Sequence, residues 1–538
     1  MDFKSVFNLN YEGKLEHPTD LKYGDYSTNI ALVTNRNPQE IKTELDNILD
    51  KSDVVENVEI VGKFVNIFLK DKYLLKEAEK INYEIEYRNE LGELNDGKTM
   101  VIDYSAPNIA KPFGIGHLRS TNIGQAIYNL YKILGWNCIG DNHLGDFGTQ
   151  FGKLIVAILK WGDKKIEKMT INDLESLYIK FHKEETPELL QEARDWFAKL
   201  EKGDEEAKKI WKKCTDISMV EFNKIYELLD VKIDYTLGES FYQDKMGAVI
   251  KEMIDKGLTK ESQGATIIEF SNDTVELVKK GNETTTYFDR DIATIRYRID
   301  EWNPDLIIYE VGADQSLYFE HVFETVERLG WMKKDQMYHV AHGLIRWKDG
   351  KFSTRQGKTI HLMEVIDKIM EMAQKIAPEN DEETIKKIAI GALKFNDLSQ
   401  DPKKDIIFDW DKIMALDGDS GPYLQYTYAR GQSVLKKSEV KEQKNIDTDG
   451  VVLEEDEKKV FREIYKLKEK IIESAQRFNP GVLSDFLLSI ARSYNEFYAK
   501  NKIIGHEREN LRLFMTKSVT STIKLGLELL GIKTVEKM

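Results

Sequence analysis

Residues 100–121 restrict the possible folds more than any other part of this chain. Met100-Val101-Ile102-Asp103-Tyr104 is a short apolar run that reads as a strand. Ser105-Ala106-Pro107-Asn108-Ile109-Ala110-Lys111-Pro112-Phe113-Gly114-Ile115-Gly116 follows it. The amphipathic spacing beyond predicts a helix from about residue 117 to residue 134. A strand, a turn of small residues and a helix start leave backbone N–H groups free to meet a phosphate. Gly114 and Gly116 let a ligand come close to the backbone, and His117 can donate a hydrogen bond near the helix start. The same residues also suit a glycine-rich turn closed by a capping histidine.

Further strand-like runs, Trp136-Asn137-Cys138-Ile139-Gly140, Asp305-Leu306-Ile307-Ile308-Tyr309 and Met337-Tyr338-His339-Val340, are separated by helical patterns. That alternation predicts a parallel α/β sheet over residues 93–409, with a highly charged helical insertion at about 174–229. Residues 1–92 read as a separate block. In it Val58-Glu59-Ile60-Val61 and Phe64-Val65-Asn66-Ile67-Phe68-Leu69 predict two strands joined at Gly62-Lys63. Residues 410–538 carry helical periodicity throughout, broken by a polar, acidic stretch from Glu439 to Lys459. At 538 residues the chain is long enough for about three domains.

The net charge of −15 argues against indiscriminate coating of nucleic acid or anionic membrane. It leaves a local nucleic-acid site open. No apolar run is long enough to span a bilayer, and Met1-Asp2-Phe3-Lys4 does not start a secretion signal. Cys138 and Cys214 are the only 2 cysteines, too few for a zinc cluster, so a reducing cytoplasm is the expected setting.

The run from Ser105 to Thr121 resembles the first signature of class I aminoacyl-tRNA synthetases in the form used by arginyl-tRNA synthetases. There Ser-Pro-Asn-x-Ala-Lys-Pro precedes Gly-His-Leu-Arg-Ser-Thr. Gly114 stands where the first histidine of that signature usually is. Asn142-His143-Leu144-Gly145-Asp146-Phe147-Gly148-Thr149-Gln150 resembles a second family segment, with Phe147 in place of tryptophan. A structural turn rich in hydrogen bonds is the alternative for His143. Tyr287-Phe288-Asp289-Arg290-Asp291 resembles the family's Tyr-x-x-Arg-Asp, and Val311-Gly312-Ala313-Asp314-Gln315 its Val-Gly-x-x-Gln. Lys351-Phe352-Ser353-Thr354-Arg355-Gln356-Gly357-Lys358 looks like the second class I signature in degenerate form. A P-loop reading of Gly357-Lys358-Thr359 fails, because its first glycine would fall at Phe352.

The resemblance implies a Rossmann-type catalytic domain, an α+β N-terminal domain and an all-α C-terminal bundle. It implies an arginine–tRNA ligase that activates L-arginine with ATP and esterifies the terminal adenosine of arginine tRNA at its 2′-hydroxyl. Magnesium would accompany the ATP phosphates, no zinc would be needed, and the enzyme would be a monomer. Lys111, His117, Lys351, Arg355 and Lys358 would act in catalysis, Lys111 compensating for Thr354 in the second signature. Asp103, Tyr104, Ser105, Ala106, Pro107, Asn108, His117, Glu239, Tyr287, Asp291 and Gln315 would bind arginine, with Asp291 and Glu239 at the guanidinium. Gly114, Gly116, His117, His143, Gly145, Asp146 and Ser353 would bind ATP. Phe64 and Asn66, Tyr426, Tyr498 and Met538 would touch tRNA.

Other assignments fit some of these residues. Asp291 could only cap a helix, Gln315 could bond backbone amides at a helix start, and the basic loop could be a solvated hairpin. Tyr426 could belong to the core. The departures at Gly114, Thr354 and Gln356 also fit a catalytically silent paralogue that binds tRNA or arginine.

Overall fold

The structure is a computed structural model that describes residues 15–49, 53–279, 286–347, 361–440 and 444–538. The first four strands, β1 (Leu15–Glu16), β2 (Tyr26–Thr28), β3 (Val55–Val61) and β4 (Phe64–Leu69), form an antiparallel sheet of order β1-β2-β4-β3. Gly62, at φ 63°, makes the tight turn between β3 and β4 that the sequence predicts. Helix α1 (Asp71–Asn82) leads away from this sheet and docks on the C-terminal bundle, where Asn82 Nδ2 donates to Ser518 Oγ at 3.0 Å.

The central sheet begins with β5 (Thr99–Asp103), which feeds α2 (Ile115–Ile133) and then β6 (Asn137–Asp141). The charged stretch is a three-helix insertion, α3 (Ile171–Lys183), α4 (Pro187–Glu201) and α5 (Glu205–Leu229). A small antiparallel meander comes next, β7 (Lys260–Ser262), β8 (Ala265–Glu269) and β9 (Val275–Lys279). The sequence pattern does not announce it, since its strands are short and half exposed. Helix α6 (Tyr287–Trp302), β10 (Leu306–Gly312), α7 (Ser316–Arg328) and β11 (Met337–His342) complete the parallel unit. Strand β12 (Ile345–Trp347) precedes the basic segment 351–358, and α8 (Leu362–Ile376) and α9 (Glu382–Leu398) follow it in the chain. Strand β13 (Ile406–Phe408) returns to pair with β12.

The sheet order is β11-β10-β5-β6, and every pair is parallel. The chain moves outward from β5 to β6 and then crosses back to β10. The order therefore reverses between β5 and β10, and a crevice opens there at the carboxyl ends of the strands. Both faces of the sheet are buried. Met100, Ile102 and Ile308 join a core shared with the N-terminal sheet and the C-terminal helices. Val101, Ile139 and Ile307 pack on the other side against residues of α6 and α7. That explains the unbroken apolar runs in the sequence.

The C-terminal block is a helical bundle of α10 (Gly421–Lys437), α11 (Glu455–Ile464), α12 (Leu467–Gln476), α13 (Gly481–Lys500) and α14 (Glu509–Leu529). Ser420 caps α10 by accepting from the Tyr423 N–H at 3.1 Å, and Pro422 fits the first turn because it has no N–H to leave unpaired. Among the described residues, no helix is long and apolar enough to cross a membrane.

Candidate active site

A cleft of about 480 Å³ lies over the reversal point. From the expected residues it gathers Asp103, Ser105, Ala106, Asn108, Gly116, His117, His143, Gly145, Glu239, Tyr287, Asp291 and Gln315. They come from the ends of β5 and β10, the start of α2, the turn after β6, the short 3-10 helix Glu239–Tyr242, and α6.

The turn after β5 is held in shape by buried hydrogen bonds. Ser105 and Ala106 adopt φ of 75° and 41°, and Ala110 63°, a region that non-glycine residues rarely occupy. The Ser105 N–H donates to Ser120 Oγ at 2.9 Å, the Ala106 N–H to Asn142 Oδ1 at 3.0 Å, and the Ala110 N–H to Ser218 Oγ at 2.9 Å. The signature helix, the turn after β6 and insertion helix α5 thus clamp the turn together.

At the helix start, the Gly114 N–H donates to His117 Nδ1 at 3.2 Å. A neutral His117 therefore carries its proton on Nε2 and can donate it to a ligand. Burial, with Lys111 and His342 adding to it, lowers the His117 pKa to about 4, so the ring is a neutral donor at physiological pH. A Cβ on Gly116 would meet no atom within 4 Å, which leaves the backbone there open to a ligand. His143 is also pushed down to about 4, chiefly by burial, and its Nδ1 has no hydrogen-bond partner among the described residues.

Two acids, Asp291 and Glu239, line the same cleft. Burial raises Asp291 to about 6, although a hydrogen bond from Tyr318 and the charge of Arg290 oppose the shift. Burial raises Glu239 to about 7, again against Arg290, whose Nη1 lies 2.9 Å from Glu239 Oε2. The Arg290 guanidinium also lies 5.2 Å from the centre of the Tyr287 ring. Helix α6 is capped by Thr286, with Asp289 completing the capping box. Asp291 is therefore free of the capping role. Gln315 stands at the start of α7 but makes no side-chain cap bond, so its amide is free of that role too.

An arginine guanidinium stays charged at any usable pH, whereas these acids do not. If Asp291 and Glu239 hold the guanidinium of arginine, as the resemblance implies, the arginine KM is expected to be lowest above about pH 7.5. It should rise as the pH falls through the Glu239 and Asp291 values of about 7 and about 6. A KM that stays flat between about pH 8 and about pH 5.5 would contradict an ionised acid pair at the guanidinium.

Several expected residues lie elsewhere. Tyr104 is fully buried; its hydroxyl donates to the Lys232 carbonyl and its ring packs on Gly124 and Gly140, so it shapes the floor rather than touching a ligand. Pro107 is buried, and its carbonyl accepts from the Gly145 N–H at 3.3 Å. Asp146 spends both carboxylate oxygens on Ser240, at 2.8 and 2.7 Å, and so braces the turn that carries Glu239 instead of facing ATP. Gly114 belongs to the turn and pairs with His361 outside the cleft. Lys111 is exposed, with its Nζ 5.5 Å from the centre of the Tyr178 ring in an adjoining small cavity. Lys351, Ser353, Arg355 and Lys358 fall outside the described residues. The described residues that follow them are tied to the first signature, since the Leu362 N–H donates to the Phe113 carbonyl at 2.8 Å.

Of the expected tRNA residues, Phe64 is 47% exposed but Asn66 only 2%, so Asn66 supports its sheet and cannot itself meet tRNA. Tyr426 and Tyr498 flank Arg430, whose guanidinium lies 4.7 and 5.2 Å from their ring centres. Asn495 Oδ1 accepts from Arg430 at 2.7 Å and steadies this half-buried platform. Met538 packs against the core that contains α8 and α9.

Arg298 belongs to no sequence motif, yet it is fully buried beneath the cleft. Its Nη2 donates to Asp103 at 2.6 Å and to Asp141 at 2.7 Å. Arg119 stands in the first signature, but its position there gives no hint of its role. It is buried too, bonding Asp397 at 3.0 Å and the carbonyls of Gly343 and Lys404 at 2.8 and 2.7 Å.

Comparison with known proteins agrees with this geometry. Residues 84–410 match the family described as tRNA synthetases class I (R), catalytic domain. Residues 424–538 match the DALR anticodon binding domain, and residues 4–69 the arginyl tRNA synthetase N terminal domain. The arginine–tRNA ligase of Halothermothrix orenii is 38% identical, covering 99% of this chain and 98% of the relative. That of Clostridioides difficile is 36% identical over 98% and 96%. The crystal structure of Plasmodium falciparum arginyl-tRNA synthetase superposes with a TM-score of 0.85 at 25% identity, covering 100% of this chain and 98% of that one. With a switch-point cleft, a signature helix and three domains all matched along its length, the chain belongs to the arginyl-tRNA synthetases of class I.

Proposed function

We propose the following division of labour for arginine–tRNA ligation by this chain. The observation that carries it is Asp291, a buried carboxylate at the cleft to which the Tyr318 hydroxyl donates. An acid in that position is unfavourable until a cation arrives. A guanidinium meets it with parallel, charge-assisted bonds, while the lysine ammonium lacks that fork. Tyr287 offers a ring face in the same cleft, and Asn108 and Gln315, which also line it, suit the α-amino end of the amino acid.

The arginine carboxylate then lies toward the start of α2. There it attacks the α-phosphate of ATP, forming arginyl-adenylate and releasing pyrophosphate. The protein's part is mainly to position the reactants and stabilise charge. His117 donates from Nε2 to a phosphoryl oxygen, and Gly116 lets the phosphate approach the helix. Lys111 and the basic residues 351–358 supply positive charge for the departing pyrophosphate, with magnesium arriving on the ATP phosphates as part of the substrate. The 2′-hydroxyl of the terminal tRNA adenosine next attacks the activated carbonyl, forming the arginyl ester as the acyl–phosphate bond breaks and AMP leaves with the hydroxyl proton lost to solvent. Within this reading the protein works in the cytoplasm as a monomer and requires no zinc.

The platform of Arg430, Tyr426 and Tyr498 suits unpaired anticodon-loop bases, which stack on aromatic and guanidinium planes. Arg430→Leu is expected to raise the tRNA KM about tenfold in aminoacylation while leaving the ATP KM unchanged. An unchanged tRNA KM would remove this platform from the interface. The ligation itself is tested by arginine-dependent charging of arginine tRNA, with lysine as the competing amino acid.

A further inference from the structure

The carboxyl ends of β10 and β11 carry a polar pair that lies outside the roles given above. Glu310 is almost wholly buried, and His342, the last residue of β11, sits beside it with Nδ1 2.9 Å from Glu310 Oε1. Both line the cleft alongside Gly116 and His117. The signature helix fixes them from behind. Ser120 Oγ donates to the Glu310 carbonyl at 2.9 Å, and Arg119 Nη1 donates to the carbonyl of Gly343, the neighbour of His342, at 2.8 Å.

The second carboxylate oxygen, Glu310 Oε2, is buried and has no hydrogen-bond partner among the described residues. A buried acceptor without a partner is unfavourable, and at the wall of a cleft it marks where a ligand donor belongs. The other ring nitrogen, His342 Nε2, lies toward Gly312, 3.9 Å from where an added Cβ would sit. Burial opposes charge on His342, and so does Arg119. Glu310 and Asp397 outweigh them and hold the imidazolium above its ordinary value. His117, His339 and Asp314 are further titratable groups close by, the Asp314 carboxylate also lying next to Gly312. In the charged state Nδ1 donates to Glu310 and Nε2 is a second donor.

We propose that Glu310 and His342 together bind the ribose hydroxyls of ATP, Oε2 accepting from one hydroxyl and Nε2 donating to the same or the adjacent oxygen. A hydroxyl both gives and takes a hydrogen bond, which matches one acceptor beside one donor. A phosphate only accepts and would face the Glu310 carboxylate. The position agrees, since nucleotides lie at the strand ends of such a sheet. This inference rests on the reading of the chain as an ATP-using arginine ligase.

The test is arginine-dependent pyrophosphate exchange with tRNA present, comparing ATP, 2′-deoxy-ATP, 3′-deoxy-ATP and GTP. The proteins are the wild type, His342→Phe, His342→Gln and Glu310→Gln, each checked for an unchanged melting temperature. In the wild type the KM of at least one deoxy analogue should exceed that of ATP by about tenfold. In His342→Phe and Glu310→Gln the ATP KM should rise to meet it, so that the preference shrinks to about twofold while the arginine KM stays put. His342→Gln, which keeps a donor, should recover part of the preference. Discrimination against the deoxy analogues that stays at the wild-type level in both His342→Phe and Glu310→Gln would overturn the assignment. So would a loss of preference for ATP over GTP in its place, which would put the pair at the base. Failure of the ligase reading looks different, because the wild type would then show no arginine-dependent exchange with ATP at all.

Discussion

Asp291→Ala is expected to raise the arginine KM by about a hundredfold or more while leaving the ATP KM within about twofold. Asp291 accepts from the neutral Tyr318 hydroxyl, whereas Glu239 already faces the Arg290 guanidinium at 2.9 Å. Truncating Asp291 removes the charge that the substrate guanidinium needs and leaves that cation half desolvated, which costs about 2–5 kcal/mol. Asp291→Asn should recover little, because an amide offers one acceptor and no charge. The variant should fold normally, since burial already works against this carboxylate. Arginine titrated into Asp291→Ala and followed by calorimetry reads the effect directly. An unchanged affinity would place the guanidinium elsewhere.

Arg298→Met is expected to lower stability by about 3–5 kcal/mol at neutral pH. The guanidinium is fully buried, bonds Asp103 and Asp141, and lies 5.0 Å from the centre of the Tyr309 ring. Methionine fills much of the volume but leaves two neighbouring buried carboxylates without a counter-charge. Burial already raises Asp141 to about 6 even with Arg298 opposing the shift. Without Arg298 the folded-state value of Asp141 rises further above that of the unfolded chain. The folded variant then prefers the protonated acid, so its penalty is full near pH 7 and shrinks as the pH falls toward about 5. Urea unfolding at the two pH values separates this from a packing defect, which would cost the same at both.

The parallel sheet and the signature turn were legible because they are local. A short apolar run, a small-residue turn and an amphipathic helix leave their marks within about thirty residues. Which residues of the turn face the ligand was less legible. Successive strand residues point to opposite faces, so Asp103 and Tyr104 cannot both line one cleft. Asp103 meets Arg298, and Tyr104 turns under α2 against Gly124. In β4 the alternation places Phe64 and Asn66 on one face, yet that face is open at the sheet corner and covered at its centre. Asp146 was expected at ATP because its segment resembles the family's, and only the fold shows Ser240 occupying it. Arg298 left no mark near Asp103 because the two are far apart in the chain. Nor did the pairing of His342 with Glu310, for the same reason.

The measurement that bears most directly on the account is arginine-dependent ATP–pyrophosphate exchange by the intact protein, with and without arginine tRNA. Exchange is expected to require arginine, to fail with lysine in its place, and to appear when tRNA is present. Folded protein that binds tRNA yet gives no exchange under either condition would contradict it, and would make the chain a silent member of its family.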